Sequence, residues 1–269
     1  MDRTSIIGII FGLIAVGVGM ALKGLSPLVI FNPAALIIIF LGTAASVAIG
    51  FPWKELKKIP KLLKVIFSEQ NVPEVKDLIP MFTEWANLAR KEGILFLEGR
   101  VEEVEDPFLR NGMKLVIDGQ SPDFIRDVMN EQLNALEERH EAGAQIFTQA
   151  GTYAPTLGVL GAVIGLIAAL GNMANFDVLG EAIAAAFIAT LLGIFSGYVL
   201  WHPFANKVRR KSQEEIRIRE IMIEGILSIQ NGQSPRAIQE KLASYLPLHE
   251  SLDLHKEGVE DGKKQEAAS

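Results

Sequence analysis

Residues 142–176 read AGAQIFTQAGTYAPTLGVLGAVIGLIAALGNMANF and contain no Asp, Glu, Lys or Arg. Three other stretches, 4–22, 24–53 and 182–206, are also free of these charged residues. A helix needs about 20 mostly apolar residues to cross the bilayer core, which is about 30 Å thick. Buried helices of a soluble protein rarely run so far without a charge. We therefore predict four transmembrane helices, near residues 5–22, 34–51, 153–172 and 182–202.

The composition excludes several classes of protein. Of the 269 residues, 49% are hydrophobic, 7% are aromatic and none is Cys, and the net charge is −6. Without Cys there can be no disulfide, thiolate metal site or cysteine nucleophile, and a nucleic-acid binder with a basic face is not expected. The four His residues lack metal-ligand spacing, and no phosphate loop or Ser/His/Asp set is present. We therefore expect no enzyme activity, cofactor or metal, which leaves an ion-channel subunit or a membrane scaffold.

The basic residues predict the orientation of the chain. Of the 26 Lys and Arg residues, all but Lys23 lie before the first span, between the second and third, or after the fourth. Basic residues accumulate on the cytoplasmic side of membrane proteins. We therefore predict a multi-pass membrane protein with both termini in the cytoplasm.

The predicted fold class is all-α, a polytopic membrane protein with four transmembrane helices and a helical cytoplasmic domain. The predicted segments are 1–51 (spans one and two), 52–150 (cytoplasmic helical domain), 151–203 (spans three and four), 204–248 (cytoplasmic helical C-terminal region) and 249–269 (disordered tail). Within 52–150, apolar spacing predicts an amphipathic helix over 74–91. Ser121, Pro122 and Asp123 predict the start of a helix that runs towards span three. The helix of span four is expected to continue through 204–231 and to end at Gly232.

A lysine-rich segment follows span two. Residues 54–67 read KELKKIPKLLKVIF, with apolar residues on one helical face and lysines on the rest. This pattern is typical of a helix that lies against an anionic membrane surface. A plain amphipathic helix without lipid specificity is the simpler interpretation.

Small residues recur along spans three and four at steps of three and four. Each helix therefore has a seam of small residues, Gly151, Pro155, Gly158, Ala162, Gly165 and Ala169 in span three and Ala182, Ala186, Thr190, Gly193 and Gly197 in span four. Such seams allow close helix packing in lipid. Ion pathways usually contain an ionisable group, and these spans have no carboxylate, Lys or Arg. If ions pass, we expect the titrating group on a partner's helix packed against the seams; ordinary packing is the alternative.

Four blocks of the sequence resemble the MotA family of flagellar motor stator subunits and, more distantly, the ExbB/TolQ proton-channel subunits. They are ARKEGILFLE (89–98), DGQSPDFIRDVM (118–129), GTYAPTLGVLGAVIGLIAALGNM (151–173) and ATLLGIFSGYVLWHPFANKVRRKS (189–212). The resemblance implies a ring of five copies around two copies of a MotB-like partner in the bacterial inner membrane. It also implies that segment 151–203 lines the pore and that segment 52–150 faces the rotor of the motor. The MotB-like partner supplies one span, the ion-binding aspartate and a domain anchored to peptidoglycan. Ion flow then drives the rotor protein FliG.

The resemblance also implies roles for individual residues. Arg90 and Glu98 match the charged pair of the family that contacts FliG. Pro155 and Pro203 match two prolines near the cytoplasmic ends of spans three and four. Proline removes a helical hydrogen bond and can create a hinge, although a static kink has the same signature.

Three further residues of the spans are implicated by the resemblance. Thr190 matches the pore threonine of the family, and Tyr198 matches a tyrosine further along the same helix. Sodium-driven relatives have threonine where this chain has Ala162, and that hydroxyl would be a ligand for a hard cation. Proton coupling is therefore expected. An ExbB/TolQ-like subunit that energises another envelope process is the alternative, but those relatives usually have three spans.

Overall fold

The computed structural model describes residues 2–69, 72–171, 176–247 and 250, and this part of the chain is helical and contains no strand. It forms two compact units. Unit 1 comprises Met1–Gln70 and Glu138–Ser212, and unit 2 comprises Asn71–Glu137 and Gln213–Ser269. The all-α prediction is confirmed. The predicted tail 249–269 lies outside the described residues except for Glu250.

Ten helices are described. In chain order they are α1 (Arg3–Leu22), α2 (Pro33–Gly50), α3 (Trp53–Leu56), α4 (Ile59–Phe67), α5 (Val75–Glu92), α6 (Glu98–Glu102), α7 (Pro107–Ile117), α8 (Pro122–Leu170), α9 (Phe176–Gln230) and α10 (Pro235–Ala243). Helix α2 contains a π-helical turn at Ile37–Leu41, and α9 contains one at Ser196–Trp201. Short 3-10 turns lie at Pro27–Ile30 and Ile94–Leu97.

The four predicted spans are confirmed. Helices α1, α2, α8 and α9 are each long and apolar enough to cross a membrane. Helix α8 starts as predicted, because Pro122 begins it and the Ser121 hydroxyl accepts a hydrogen bond from the Phe124 N–H at 3.3 Å. Helix α9 ends at Gln230, before Gly232, whose φ of +64° suits glycine. Both helices continue without a break from the spans into residues of unit 2.

The lysine-rich segment forms two helices, α3 and α4, rather than one. Pro60 explains the break, because it lacks an N–H and clashes with the carbonyl four residues before it. The apolar side of α4 packs within unit 1. Ile66 is fully buried, in a cluster that includes Phe147 and Val208.

Unit 2 has its own hydrophobic core. Helices α5, α7 and α10, the first part of α8 and the last part of α9 supply it, with Phe82, Met113, Ile125, Ile221 and Ile226 among the fully buried side chains. Asp106 caps α7, because its carboxylate accepts hydrogen bonds from the N–H groups of Phe108 and Leu109 at 2.8 and 2.9 Å.

Candidate functional site

Helices α8 and α9 touch through their backbones. A methyl group added at Gly158 would lie 2.8 Å from the carbonyl oxygen of Ala189 and 2.9 Å from the Cα of Gly193. A methyl group at Gly193 would lie 2.7 Å from the carbonyl oxygen of Ala154. Any side chain larger than hydrogen at these two positions would therefore push the helices apart.

The glycines of the two seams face each other. Gly197 opposes Gly151 and Pro155, and Gly165 lies near Ala182 and Ala186. This contact already fills the space beside these glycines, so the prediction that a partner's helix packs against the seams concerns their remaining residues and stays a prediction. Ordinary packing between spans of one chain is the alternative that the structure supports for these positions.

Pro155 and the π-helical turn of α9 meet at this contact. A methyl group at Gly197 would lie 2.8 Å from Cγ of Pro155, so the proline ring rests directly on the turn. The turn ends at Trp201, and the His202 N–H bonds to the Gly197 carbonyl. Pro203 follows and cannot donate to the carbonyl of Val199. The wider turn is a local way to accommodate that missing bond, and such turns are frequent at functional sites.

His202 packs against one end of the contact between α8 and α9. A methyl group at Gly151 would lie 2.8 Å from its imidazole ring. The ring also lies beside Tyr198, with 5.3 Å between the ring centroids. The spacing of the His residues in the sequence did not indicate this packing of His202 against Gly151.

Thr190 and Ala162 lie at one level of the contact. A methyl group at Gly161 would lie 3.3 Å from Cβ of Ala189, and Ala162 and Thr190 are the next residues along each helix. Both are half-buried. The Thr190 hydroxyl donates to the Ala186 carbonyl at 3.3 Å, which leaves its oxygen free to accept.

Tyr198 and Pro203 are exposed and lie on another side of α9. They line a cleft of about 380 Å³ together with Thr4, Ser5 and Lys207. The structure therefore separates the predicted channel residues into two groups. Pro155, Ala162 and Thr190 lie along the contact between α8 and α9, whereas Tyr198 and Pro203 lie beside α1.

Arg90 and Glu98 lie in unit 2, and both are exposed. Neither side chain forms an ion pair or hydrogen bond with the described residues of the chain. Between them, Leu97 is fully buried, whereas Leu95 and Phe96 are 71% and 51% exposed. The sequence patterns did not indicate these two exposed side chains, although a run of four apolar residues in a short turn cannot be buried on all sides. We call the four exposed residues Arg90, Leu95, Phe96 and Glu98, which lie within nine positions of the chain, the Arg90–Glu98 surface.

Metal binding finds no support in the geometry. Among the described residues, no group of three or more His, Asp or Glu side chains could hold a metal ion.

The chain is similar to known proteins over its full length. Residues 100–221 match the model of the MotA/TolQ/ExbB proton channel family. Motility protein A of Bacillus subtilis is 58% identical over 267 residues, which cover 99% of each protein. A chain of the flagellar MotAB stator complex from Bacillus subtilis superimposes with a TM-score of 0.90 at 60% identity, covering 94% of this chain and 99% of that one. For C. jejuni MotAB the TM-score is 0.88 at 32% identity, covering 92% and 97%. This chain therefore belongs to the MotA/TolQ/ExbB proton channel family.

Proposed function

We propose that this chain is a stator subunit of the bacterial flagellar motor. With a MotB-like partner it forms a proton channel, and ion flow through that channel generates torque on a FliG-like rotor protein. The observation that carries the proposal is the similarity to motility protein A over 99% of the chain, joined to the similarity to the MotAB stator complex. An ExbB/TolQ-like role in another envelope process is not favoured, because these similarities are to motility proteins and the chain has four spans.

The partner has to supply the ion-binding acid. The predicted spans 5–22, 34–51, 153–172 and 182–202 contain no carboxylate, Lys or Arg, and an ion that crosses a bilayer needs a polar group to receive it. A single-span partner with an aspartate would provide that group, in an assembly of five copies of this chain around two copies of the partner. Ala162 adds no oxygen ligand, which favours H⁺ over Na⁺.

We propose that ion binding is coupled to movement through Pro155 of α8 and through Gly197 and Pro203 of α9. Thr190 and Tyr198, also in α9, are proposed to take part in this coupling. The Pro155 ring rests on the π-helical turn, and Pro203 follows that turn. A change in how the partner's helix packs would alter this contact. Because α8 and α9 continue unbroken beyond the spans, such a change can travel along each helix.

The Arg90–Glu98 surface is proposed to contact the rotor. Its two charges have opposite sign, and two exposed apolar side chains lie between them. Protein interfaces combine apolar anchors with a polar rim in this way, and charges at the rim steer the partner and fix its register.

We also propose the placement of each segment. Segments 1–51 and 151–203 would lie in the inner membrane, whereas 52–150, 204–248 and both termini would lie in the cytoplasm. The distribution of the basic residues supports this orientation.

Complementation of a strain that lacks its own stators tests the proposal. Expression of this chain with its single-span partner should restore swimming. Arg90→Glu and Pro155→Leu should each abolish swimming at normal protein levels, whereas Lys114→Glu, a charge reversal at an exposed position of α7, should not. Failure of the unaltered pair to restore swimming would refute the function, and full swimming of both variants would refute the site residues. Swimming that requires Na⁺ would refute proton coupling.

A further inference from the structure

Five exposed lysines follow the second span. Lys54 lies in α3, Lys57 and Lys58 lie in the turn between α3 and α4, and Lys61 and Lys64 lie in α4. We call these five residues the lysine face. None of them forms an ion pair within the described part of the chain. We propose that the lysine face binds the headgroups of anionic phospholipids. This inference goes beyond the stator function and does not depend on it.

The other side of the segment is already packed against protein. Leu56, Ile59 and Leu62 pack with a buried cluster formed by α2 and α8. Ile66 is fully buried against α8 and α9. Protein therefore covers most of the apolar side of the segment, and its exposed surface carries the five lysines beside Trp53, Pro60 and Val65.

The end of α4 is held in place by three further residues. The Asp2 N–H donates to the Phe67 carbonyl at 2.9 Å, and the Lys211 ammonium donates to the Val65 and Ser68 carbonyls at 2.7 and 2.5 Å. The Asp2 carboxylate binds Lys207 and Lys211 at 2.6 and 3.2 Å. Burial raises the pKa of Asp2, but these lysine bonds outweigh it and hold the pKa well below its usual range.

The lysine face also lies at the level where a span ends. Helix α2 ends at Gly50, and Trp53 begins α3 with 69% of its surface exposed. Tryptophan favours the boundary between hydrocarbon and headgroups. The Lys57 ammonium lies 5.8 Å from the centroid of the Trp53 ring, so at least this charge is held at headgroup depth.

Charge complementarity identifies the ligand. Residues 54–67 contain five Lys and one Glu, and a phosphate diester headgroup with net negative charge matches that excess at the membrane surface. Each lysine near such a surface increases affinity about fivefold. Three lysines acting together would therefore enrich anionic lipid by well over tenfold.

Quenching of Trp53 by brominated lipids tests the proposal. The full chain with its partner is reconstituted into phosphatidylethanolamine bilayers that contain a minority of brominated phosphatidylglycerol or, in parallel, brominated phosphatidylethanolamine. Subtraction of the signal of Trp53→Phe isolates Trp53 from the other two tryptophans. We expect several-fold stronger quenching by the anionic lipid, and loss of this preference in about 1 M salt, where the screening length falls to about 3 Å.

Two triple variants distinguish an effect of the lysine face on the lipid preference from an effect of the net charge of the chain. Replacement of Lys57, Lys61 and Lys64 by Gln should remove most of this several-fold preference, so that the two lipids quench Trp53 nearly equally, and Gln retains helix propensity. Replacement of the exposed Lys76, Lys91 and Lys114 by Gln removes the same charge and should leave the preference intact. Equal quenching by both lipids, or an equal effect of both variants, would overturn the proposal.

Competition with inorganic phosphate tests whether the lysine face binds a lipid headgroup or any phosphate. Inorganic phosphate added to the bilayers should leave the preference for phosphatidylglycerol unchanged, and abolition of the preference would mean a general phosphate site and overturn the lipid assignment. Swimming is scored separately, so loss of motility without loss of the lipid preference would leave this proposal standing.

Discussion

Replacement of Gly193 by Ala tests the backbone contact between α8 and α9. The added methyl group would lie 2.7 Å from the Ala154 carbonyl oxygen and 2.8 Å from the Cα of Gly158. Carbon atoms prefer separations of about 3.5–4.0 Å, and both opposing atoms belong to the backbone of a helix. No side chain can rotate to relieve the overlap, so the two helices have to separate by roughly half an ångström or more.

The expected cost is about 1–3 kcal/mol per chain, the usual range for an overpacked site. Gly180→Ala is the matched control. It lies in the same helix, and a methyl group there would meet nothing within 4 Å. Replacement of Gly by Ala in a helix otherwise stabilises by roughly 0.5–1 kcal/mol, and this gain is common to both variants. The difference between the two therefore isolates the contact.

Thermal unfolding of the purified complex and swimming speed measure the outcome. Gly193→Ala should unfold at a lower temperature than the unaltered chain and should swim slowly or not at all, whereas Gly180→Ala should match or exceed the unaltered chain in stability. If the two variants are equally stable and swim equally well, the helices do not touch at this point, and the argument for a coupled contact there fails.

Two further predictions concern unit 2. Phe96→Ala should slow swimming without loss of thermal stability, because Phe96 is half exposed on the proposed rotor surface. Leu97→Ala should lose about 2–5 kcal/mol of stability, because Leu97 is fully buried. Equal thermal stability of the two variants would contradict this packing. Burial raises the pKa of Glu224, but its bonds to Lys241 and Arg126 have the larger effect, so the net pKa lies below the usual 4.5. The ion pairs therefore stabilise unit 2 above about pH 4.5 and are lost as pH falls through the lowered pKa. Glu224→Gln should cost about 1 kcal/mol at pH 7 and reduce the acid sensitivity of unfolding, whereas Glu220→Gln, at an exposed site on the same helix, should change neither.

The sequence predicts the spans well because their signal is local. A run of about 20 residues without a charge is sufficient evidence for a membrane helix, and no knowledge of its neighbours is needed. The start of α8 at Pro122 and the end of α9 before Gly232 are local for the same reason, since caps depend on residues within one turn.

The neighbours of each face could not be predicted in this way. Spacing shows that Gly158 and Gly193 share a face with other small residues of their own helices, but it does not show which helix lies opposite. The hydrogen bond from Asp2 to Phe67 and the ion pair of Asp2 with Lys207 join residues far apart in the chain. No pattern in a single sequence indicates such contacts. The split of the lysine-rich segment at Pro60 was local and could have been predicted from the proline alone.

The contact between α8 and α9 constrains how a partner's acid can use Thr190. The glycines beside it are occupied by the opposite helix, so the acid has to approach from another side of α9. The Thr190 hydroxyl already donates its proton to the Ala186 carbonyl, and in that state its oxygen can only accept a hydrogen bond. A protonated carboxylic acid can donate to that oxygen, whereas a carboxylate has no proton to donate. In the proposed channel, Thr190 in this state would therefore bond to the protonated acid and not to the carboxylate, so release of the proton would break that bond.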